Sequence, residues 1–245
     1  MKRLIAALLL AATPASALDL SAMSETERDA FGEAVRAYLM ENPQVLVEAI
    51  NVLEARQAEM SVQNDRALVA ANRAAIFEDG HSWVGGNPDG DLTVVEFIDY
   101  RCGVCRQAAA DVMAAVEQDG NTRLILKEFP ILGQESELAS RFAIAVHQIA
   151  GDDAYLAAHD ALMEMRGTIT VDSLAALAGR IGVEAEPVLN RMNTDPVTDV
   201  LRANRQLAET MAIQGTPTFI IGDEMLRGLP RAGLGATIQT IRQDS

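Results

Sequence analysis

Cys102 and Cys105 are the only cysteines in the 245-residue chain, and they stand three positions apart. Two intervening residues let the thiols close a small ring. Such a pair can attack a foreign disulfide, hold a mixed disulfide and then resolve it. The competing readings are an inert structural disulfide and half of a zinc site. A disulfide closing so short a loop removes little unfolded-state entropy, so it stabilises poorly. Zinc needs two more Cys or His ligands at sensible spacing, yet His81, His147 and His159 are scattered. Redox chemistry is the expected use of the pair, with no metal.

The surrounding pattern positions these thiols. Val94–Ile98 is mostly apolar and β-branched or aromatic, which predicts a buried strand. After Cys105, residues Ala108–Ala110, Val112, Met113 and Val116 fit one broad helical face. Cys102 therefore falls where a strand hands over to a helix. Unsatisfied N–H groups and the positive end of the macrodipole gather at a helix start. A thiolate there is stabilised, and its pKa falls below the free-cysteine value of about 8.5.

The chain begins with Lys2 and Arg3, an apolar run from Leu4 to Ala12, and Ala15-Ser16-Ala17. This reads as a cleaved signal peptide over residues 1–17, too short to span a bilayer. A periplasmic mature protein starting near Leu18 is expected. Removing Lys2 and Arg3 takes the formal charge from −15 to −17. That field disfavours nucleic acid as a partner.

Ser24 and Glu27 form a capping box opening a helix over about Glu25–Glu41. Asn42-Pro43 opens a second helix predicted to run to about Phe77, since no Gly or Pro interrupts it. Leu46, Ile50, Leu53, Gln57, Met60, Asn64, Ala67 and Ala71 follow alternating steps of three and four. This seam fits either self-association or packing on the helix's own domain. Residues 18–78 are thus expected to be a helical arm with a possible oligomerisation role. Asp79–Asp91 is dense in Gly, Asp and Pro and predicts a loop linker. Within it, Trp83 is expected to pack the linker down and His81 to be solvated.

Residues 92–245 are expected to form the catalytic domain. Arg123–Phe129 reads as a second strand, parallel to the first across a right-handed crossover. About residues 135–213 are helical almost throughout, and His147 and His159 are expected to have packing or surface roles there. Pro217 introduces a strand running to Gly222, Glu224–Arg227 returns antiparallel, and Pro230–Arg242 closes as a helix.

This order, with GNPDGDLTVVEFIDYRCGVC at 86–105, KEFPILG at 127–133 and GTPTFIIGD at 215–223, resembles the DsbA-like thioredoxin-fold thiol:disulfide oxidoreductases. The resemblance covers about residues 86–243. The arm resembles that of a subgroup of the suppressor-of-copper-sensitivity type. The implied fold class is α/β, a thioredoxin fold with a DsbA-type helical insertion behind an N-terminal helical arm. The resemblance makes Cys102 an exposed nucleophile and Cys105 the buried resolving thiol of a redox-active disulfide. It makes Pro217 the cis-proline beside which substrate pairs as an added strand, and Thr216 the variable position before it. Glu96 matches a buried acid that moves the Cys105 proton. Strand alternation independently puts Glu96 inside, where a carboxyl desolvates and its pKa rises; a salt bridge with Lys127 is the alternative. No cofactor is implied.

One departure bears on direction. Gly103-Val104 replaces the Pro-His of the strongest oxidants, and Arg101 and Arg106 are expected to be solvated. With Thr216, this leans the reading toward isomerase or reductase. The expected function is an exported oxidoreductase exchanging disulfides with protein substrates, recycled by a membrane redox partner and possibly homo-oligomeric. The alternatives are a DsbA-type oxidase and a copper-handling thiol protein, since thiolates favour Cu(I). The ten methionines form no Met-rich motif.

Overall fold

The structure, a computed structural model, describes residues 23–244. The signal-peptide segment 1–17 and the expected mature start at Leu18 lie outside the described residues. The described residues divide into two compact units, up to Gln57 and from Ala58 onward.

In the first unit, α1 spans Glu25–Glu41 as expected and opens on the Ser24–Glu27 capping box. The Ser24 hydroxyl accepts from the Glu27 N–H, and the Glu27 carboxylate accepts from the Ser24 N–H. Such a cap is worth about 1 kcal/mol. No residue of α1 is buried, and Phe31, Val35, Tyr38 and Met40 are exposed.

The second helix, α2, spans Gln44–Ala71 and stops short of the expected Phe77. Asn72 follows its last turn: its side-chain amide donates to the Leu68 carbonyl at 2.8 Å, alongside its own backbone N–H at 3.2 Å, a side-chain bond to the backbone typical of asparagine near helix ends. A separate turn of helix, α3 (Arg73–Phe77), follows. Leu46, Ile50, Leu53 and Met60 are all about half exposed.

The second unit holds a five-stranded sheet of order β1-β3-β2-β4-β5. The strands are β1 (Trp83–Gly86), β2 (Leu92–Ile98), β3 (Thr122–Glu128), β4 (Thr218–Ile221) and β5 (Glu224–Arg227). β2 and β3 are parallel, as the crossover predicts, while β1, β4 and β5 join antiparallel. The crossover is α4 (Gly103–Asp119). Between β3 and β4 lie α5 (Gln134–Ala150), α6 (Asp152–Glu164), α7 (Val171–Arg180), α8 (Ala185–Arg191) and α9 (Asp195–Thr210), and α10 (Leu234–Asp244) closes the chain.

Alternation along the strands divides the core between the two sheet faces. Val94, Ile98, Leu124 and Leu126 join Tyr100, both cysteines and the insertion helices on one face. Val95, Phe97, Ile125 and Ile220 pack on the other face with Val69, Ile76, Phe77, Leu207 and Met211. Two expectations are corrected here. The arm does not extend to residue 78, because Val69, Ile76 and Phe77 are core residues of the catalytic unit. The 79–91 segment is not wholly loop, because β1 lies in its middle. Trp83 is buried, stacks on Tyr155 at 5.7 Å and donates its indole N–H to the Asp152 carbonyl.

Candidate active site

The β2–α4 junction forms as the pattern requires. Cys102 is the N-cap of α4, and the Cys105 N–H approaches its sulfur at 3.5 Å. The Cys102 N–H donates to the Asp99 carbonyl at 3.0 Å, closing a turn around Tyr100 and Arg101. Both cysteines are free thiols in the structure. Cys105 is fully buried, and Cys102, implied to be exposed, retains only 7% of its surface. Its thiol donates to the Thr216 carbonyl oxygen at 3.2 Å, so the loop before β4 covers the sulfur. The Thr216–Pro217 bond is cis, as the resemblance implied.

The two thiols are pushed apart electrically. Burial works against the Cys102 thiolate, but hydrogen bonding from the Thr216 side chain, from Cys105 and from the Val104 N–H outweighs it, and the Cys102 pKa is lowered. Burial raises the Cys105 pKa far above an ordinary thiol, with the Glu96 carboxylate and the Cys102 thiolate adding to it. Cys102 is the thiol poised to ionise, and Cys105 holds its proton.

Glu96 is 3% exposed. Burial first, and the Cys102 thiolate second, push its pKa up to about 8. The salt bridge with Lys127 does not form. Register pairs Glu96 with Leu126 and Phe97 with Lys127, so the two charges point to opposite faces of the sheet. Lys127 is fully buried on the far face, where it pairs with Asp79 and donates to the Ala75 carbonyl at 3.0 Å.

Arg101 and Arg106, expected to be solvated, are anchored. Arg106 donates to the Met163 and Met165 carbonyls at 2.7 and 2.6 Å. Arg101 donates to the Gly167 carbonyl at 3.0 Å and lies 3.4 Å from Glu135. His81 is likewise not free: its ring lies 3.1 Å from the Asp79 carbonyl and 3.4 Å from Asn204. His147 and His159 keep packing roles, against Tyr155 and Tyr100 respectively.

Three groups escaped the sequence reading. Asp99 accepts from the N–H groups of Arg101, Ile131 and Leu132 and from the Ser136 hydroxyl, tying the cysteine loop to the loop after β3. Tyr100 and Glu128, both buried, are bonded to each other. The signal for Glu128 was present, as a carboxyl ending an otherwise apolar strand beside Lys127.

Residues 93–234 match the DSBA-like thioredoxin domain, and residues 27–59 match the copper resistance protein ScsC N-terminal domain. The chain belongs to the DSBA-like thioredoxin family. This is a family of thiol–disulfide oxidoreductases. Among solved structures, a thioredoxin-like oxidoreductase from Silicibacter pomeroyi DSS-3 is 36% identical, with a TM-score of 0.65 over 71% of this chain and 99% of that one. ScsC of Proteus mirabilis in a transitional conformation is 27% identical, with a TM-score of 0.63 over 91% and 97%. Disulfide bond formation protein D of Bacillus subtilis (strain 168) is 24% identical over 154 residues, 58% of this chain and 68% of that protein. No described helix of this DSBA-like chain is long and apolar enough to cross a membrane.

Proposed function

We propose that this chain is an exported, periplasmic thiol–disulfide oxidoreductase that reduces or reshuffles disulfides in protein substrates. The observation that carries the reading is the separation of the two thiols: Cys102 at the α4 N-cap with a lowered pKa, and Cys105 buried behind it with a raised one.

In the forward direction the Cys102 thiolate attacks one sulfur of a substrate disulfide. A Cys102–substrate bond forms, the substrate S–S bond breaks, and the other substrate sulfur leaves as thiolate. Cys105 must then lose its proton. Glu96, on the same sheet face and with a pKa near neutrality, accepts it. The Cys105 thiolate attacks Cys102, the mixed disulfide breaks, and the substrate departs with both sulfurs reduced while the pair is oxidised. Thr216 and Pro217 offer backbone against which an extended substrate segment aligns. A membrane redox partner then returns the pair to the dithiol.

Several features favour isomerase or reductase over oxidase. Residue 104 is a valine, so no imidazolium sits between the cysteines. The guanidinium groups of Arg101 and Arg106 are engaged by backbone carbonyls. The thiolate is stabilised by hydrogen bonds and the start of α4 without an imidazolium beside it, which limits how far its reduced form is favoured. The exposed apolar residues of α1 and α2 further support a homo-oligomer assembled through the arm, which presents several redox centres to one substrate.

Equilibration of the pair in glutathione buffers, followed by thiol trapping, gives its reduction potential. A value near that of protein disulfide isomerase, about −180 mV, or lower fits this reading; one near the strong oxidant value of about −120 mV refutes the direction.

A further inference from the structure

Glu128 ends β3 on the sheet face that carries Glu96 and the cysteines, and the steps above do not use it. Its Oε1 accepts hydrogen bonds from the Tyr100 and Tyr155 hydroxyls, both at 2.7 Å. Its Oε2 accepts from the Ser140 hydroxyl, also at 2.7 Å. Its backbone carbonyl accepts from the Asn204 amide at 3.0 Å. All four partners are buried. Ser140, Tyr155 and Asn204 come from three helices of the insertion, α5, α6 and α9, and Tyr100 comes from the turn that delivers Cys102. One carboxyl thus joins the sheet, the insertion and the cysteine loop.

No ion pair to Glu128 is found among the described residues. The titratable groups around it are Asp99 and Tyr100 from the cysteine loop and Tyr155 and His159 from α6. The His159 ring lies 3.4 Å from the Tyr100 hydroxyl. Burial pushes Glu128 up to about 7 against the pull of its three hydroxyl donors, with Asp99 adding to the rise. A buried carboxyl without a cation is costly, and an apolar side chain of similar volume would fill a core as well. What an apolar side chain cannot supply is one acceptor shared by three hydroxyls.

Taking Cys102 as the nucleophile, as read above, we propose that Glu128 is a positioning residue for thiol–disulfide exchange, acting through Tyr100 on the turn that carries Cys102. The Cys102 N–H bonds to Asp99 across that turn. If Tyr100 loses its anchor, the turn relaxes and the Cys102 sulfur shifts against the α4 N–H groups and the Thr216 carbonyl. Misplacement of a reacting atom by about 1 Å can cost on the order of 100-fold in rate.

The test is a double-mutant cycle in full-length protein carrying Cys105→Ser, which isolates the first attack. The rate of Cys102 with oxidised glutathione is measured from pH 5 to 9, with thiolate absorbance and melting temperature alongside. Glu128→Ala and Tyr100→Phe should each slow the attack about 5- to 20-fold at pH 7, and the double variant should be no slower than Glu128→Ala, as for residues acting in one unit. Glu128→Gln keeps a carbonyl acceptor and should recover to within about 3-fold of the parent. Folded variants with parental rates at every pH overturn the inference, since a packing role moves only the melting temperature. Fully additive losses overturn it too, because Glu128 would not then act through Tyr100. If Glu128→Ala does not fold, Tyr100→Phe decides, and a parental rate there overturns it. If the parent's Cys102 titrates like an ordinary cysteine, the reading of Cys102 fails first, visibly in the parent alone, and takes this inference with it.

Discussion

The Cys102 sulfur lies 3.2 Å from the carbonyl oxygen of Thr216, a residue 114 positions further along the chain. The contact closes the sheet's central handover against the loop before β4, with the whole helical insertion threaded between the two.

Cys102 should titrate below a free cysteine despite its burial, because hydrogen bonds from the Thr216 side chain and from the Cys105 and Val104 N–H groups at the start of α4 favour its thiolate. Thiolate absorbance against pH in a Cys105→Ser variant reads it directly. A midpoint of about 8.5 or above would remove the catalytic reading.

Glu96→Gln should slow resolution of the mixed disulfide by about 10- to 100-fold and leave the first attack within about 2-fold, as expected for loss of a proton acceptor. Rapid-quench trapping separates the two steps. Equal slowing of both would assign Glu96 a different role.

The same carboxyl makes stability depend on pH. Its folded pKa of about 8 exceeds an unfolded value near 4.3, so the native state binds the extra proton between them. Stability from this site is complete below about pH 4 and is lost as pH rises through 8. Glu96→Gln should leave oxidised protein unchanged at pH 4 and stabilise it by a few kcal/mol at pH 9. Urea unfolding of the oxidised form, which lacks the Cys102 charge, checks the sign, and a wild type more stable than the variant at pH 9 contradicts it.

On the far face, Asp79→Asn leaves the Lys127 ammonium buried without a counter-charge, and should cost about 3–5 kcal/mol. Adding Lys127→Met removes the orphaned charge and should restore much of the loss. Denaturant midpoints compare the two, and a double variant as unstable as the single one would show that Asp79 matters through its Ser82 bonds instead.

Much of this site was legible because local patterns dictate it. Hydrophobic alternation fixed β2, helical spacing fixed α4, and their junction fixed where Cys102 and Cys105 must sit. Alternation also turned Glu96 inward. What stayed hidden depends on register and on distant packing. The partner of Lys127 could not be read without knowing that Phe97, rather than Glu96, is its neighbour. Arg101 and Arg106 find carbonyls some 60 residues away. The end of the arm looked like a continuous helix because nothing local says that Ile76 and Phe77 close the far face of the sheet.

The arm itself gives the last prediction. Leu46, Ile50 and Leu53 lie along one stripe of α2, each about half exposed. Replacing all three by serine should turn an oligomer into a monomer that keeps its thiol chemistry and loses most of its refolding of scrambled substrates. Truncation belongs after residue 57, since a cut at 78 also strips Val69, Ile76 and Phe77 from the core. Light scattering of the full-length protein decides, and a monomer at micromolar concentration rules out the assembly.

Arg106 follows Cys105 directly, and its guanidinium takes up carbonyls just where α6 ends. A five-helix insertion set between β3 and β4 could drift while the sheet beneath stayed intact. The arginine makes such drift mechanically audible at the sulfurs: a displaced α6 would tug the first turn of α4. Loop engineering around residues 163–168 that aims only at substrate choice will therefore also retune the redox couple, unless Arg106 keeps both of its carbonyls.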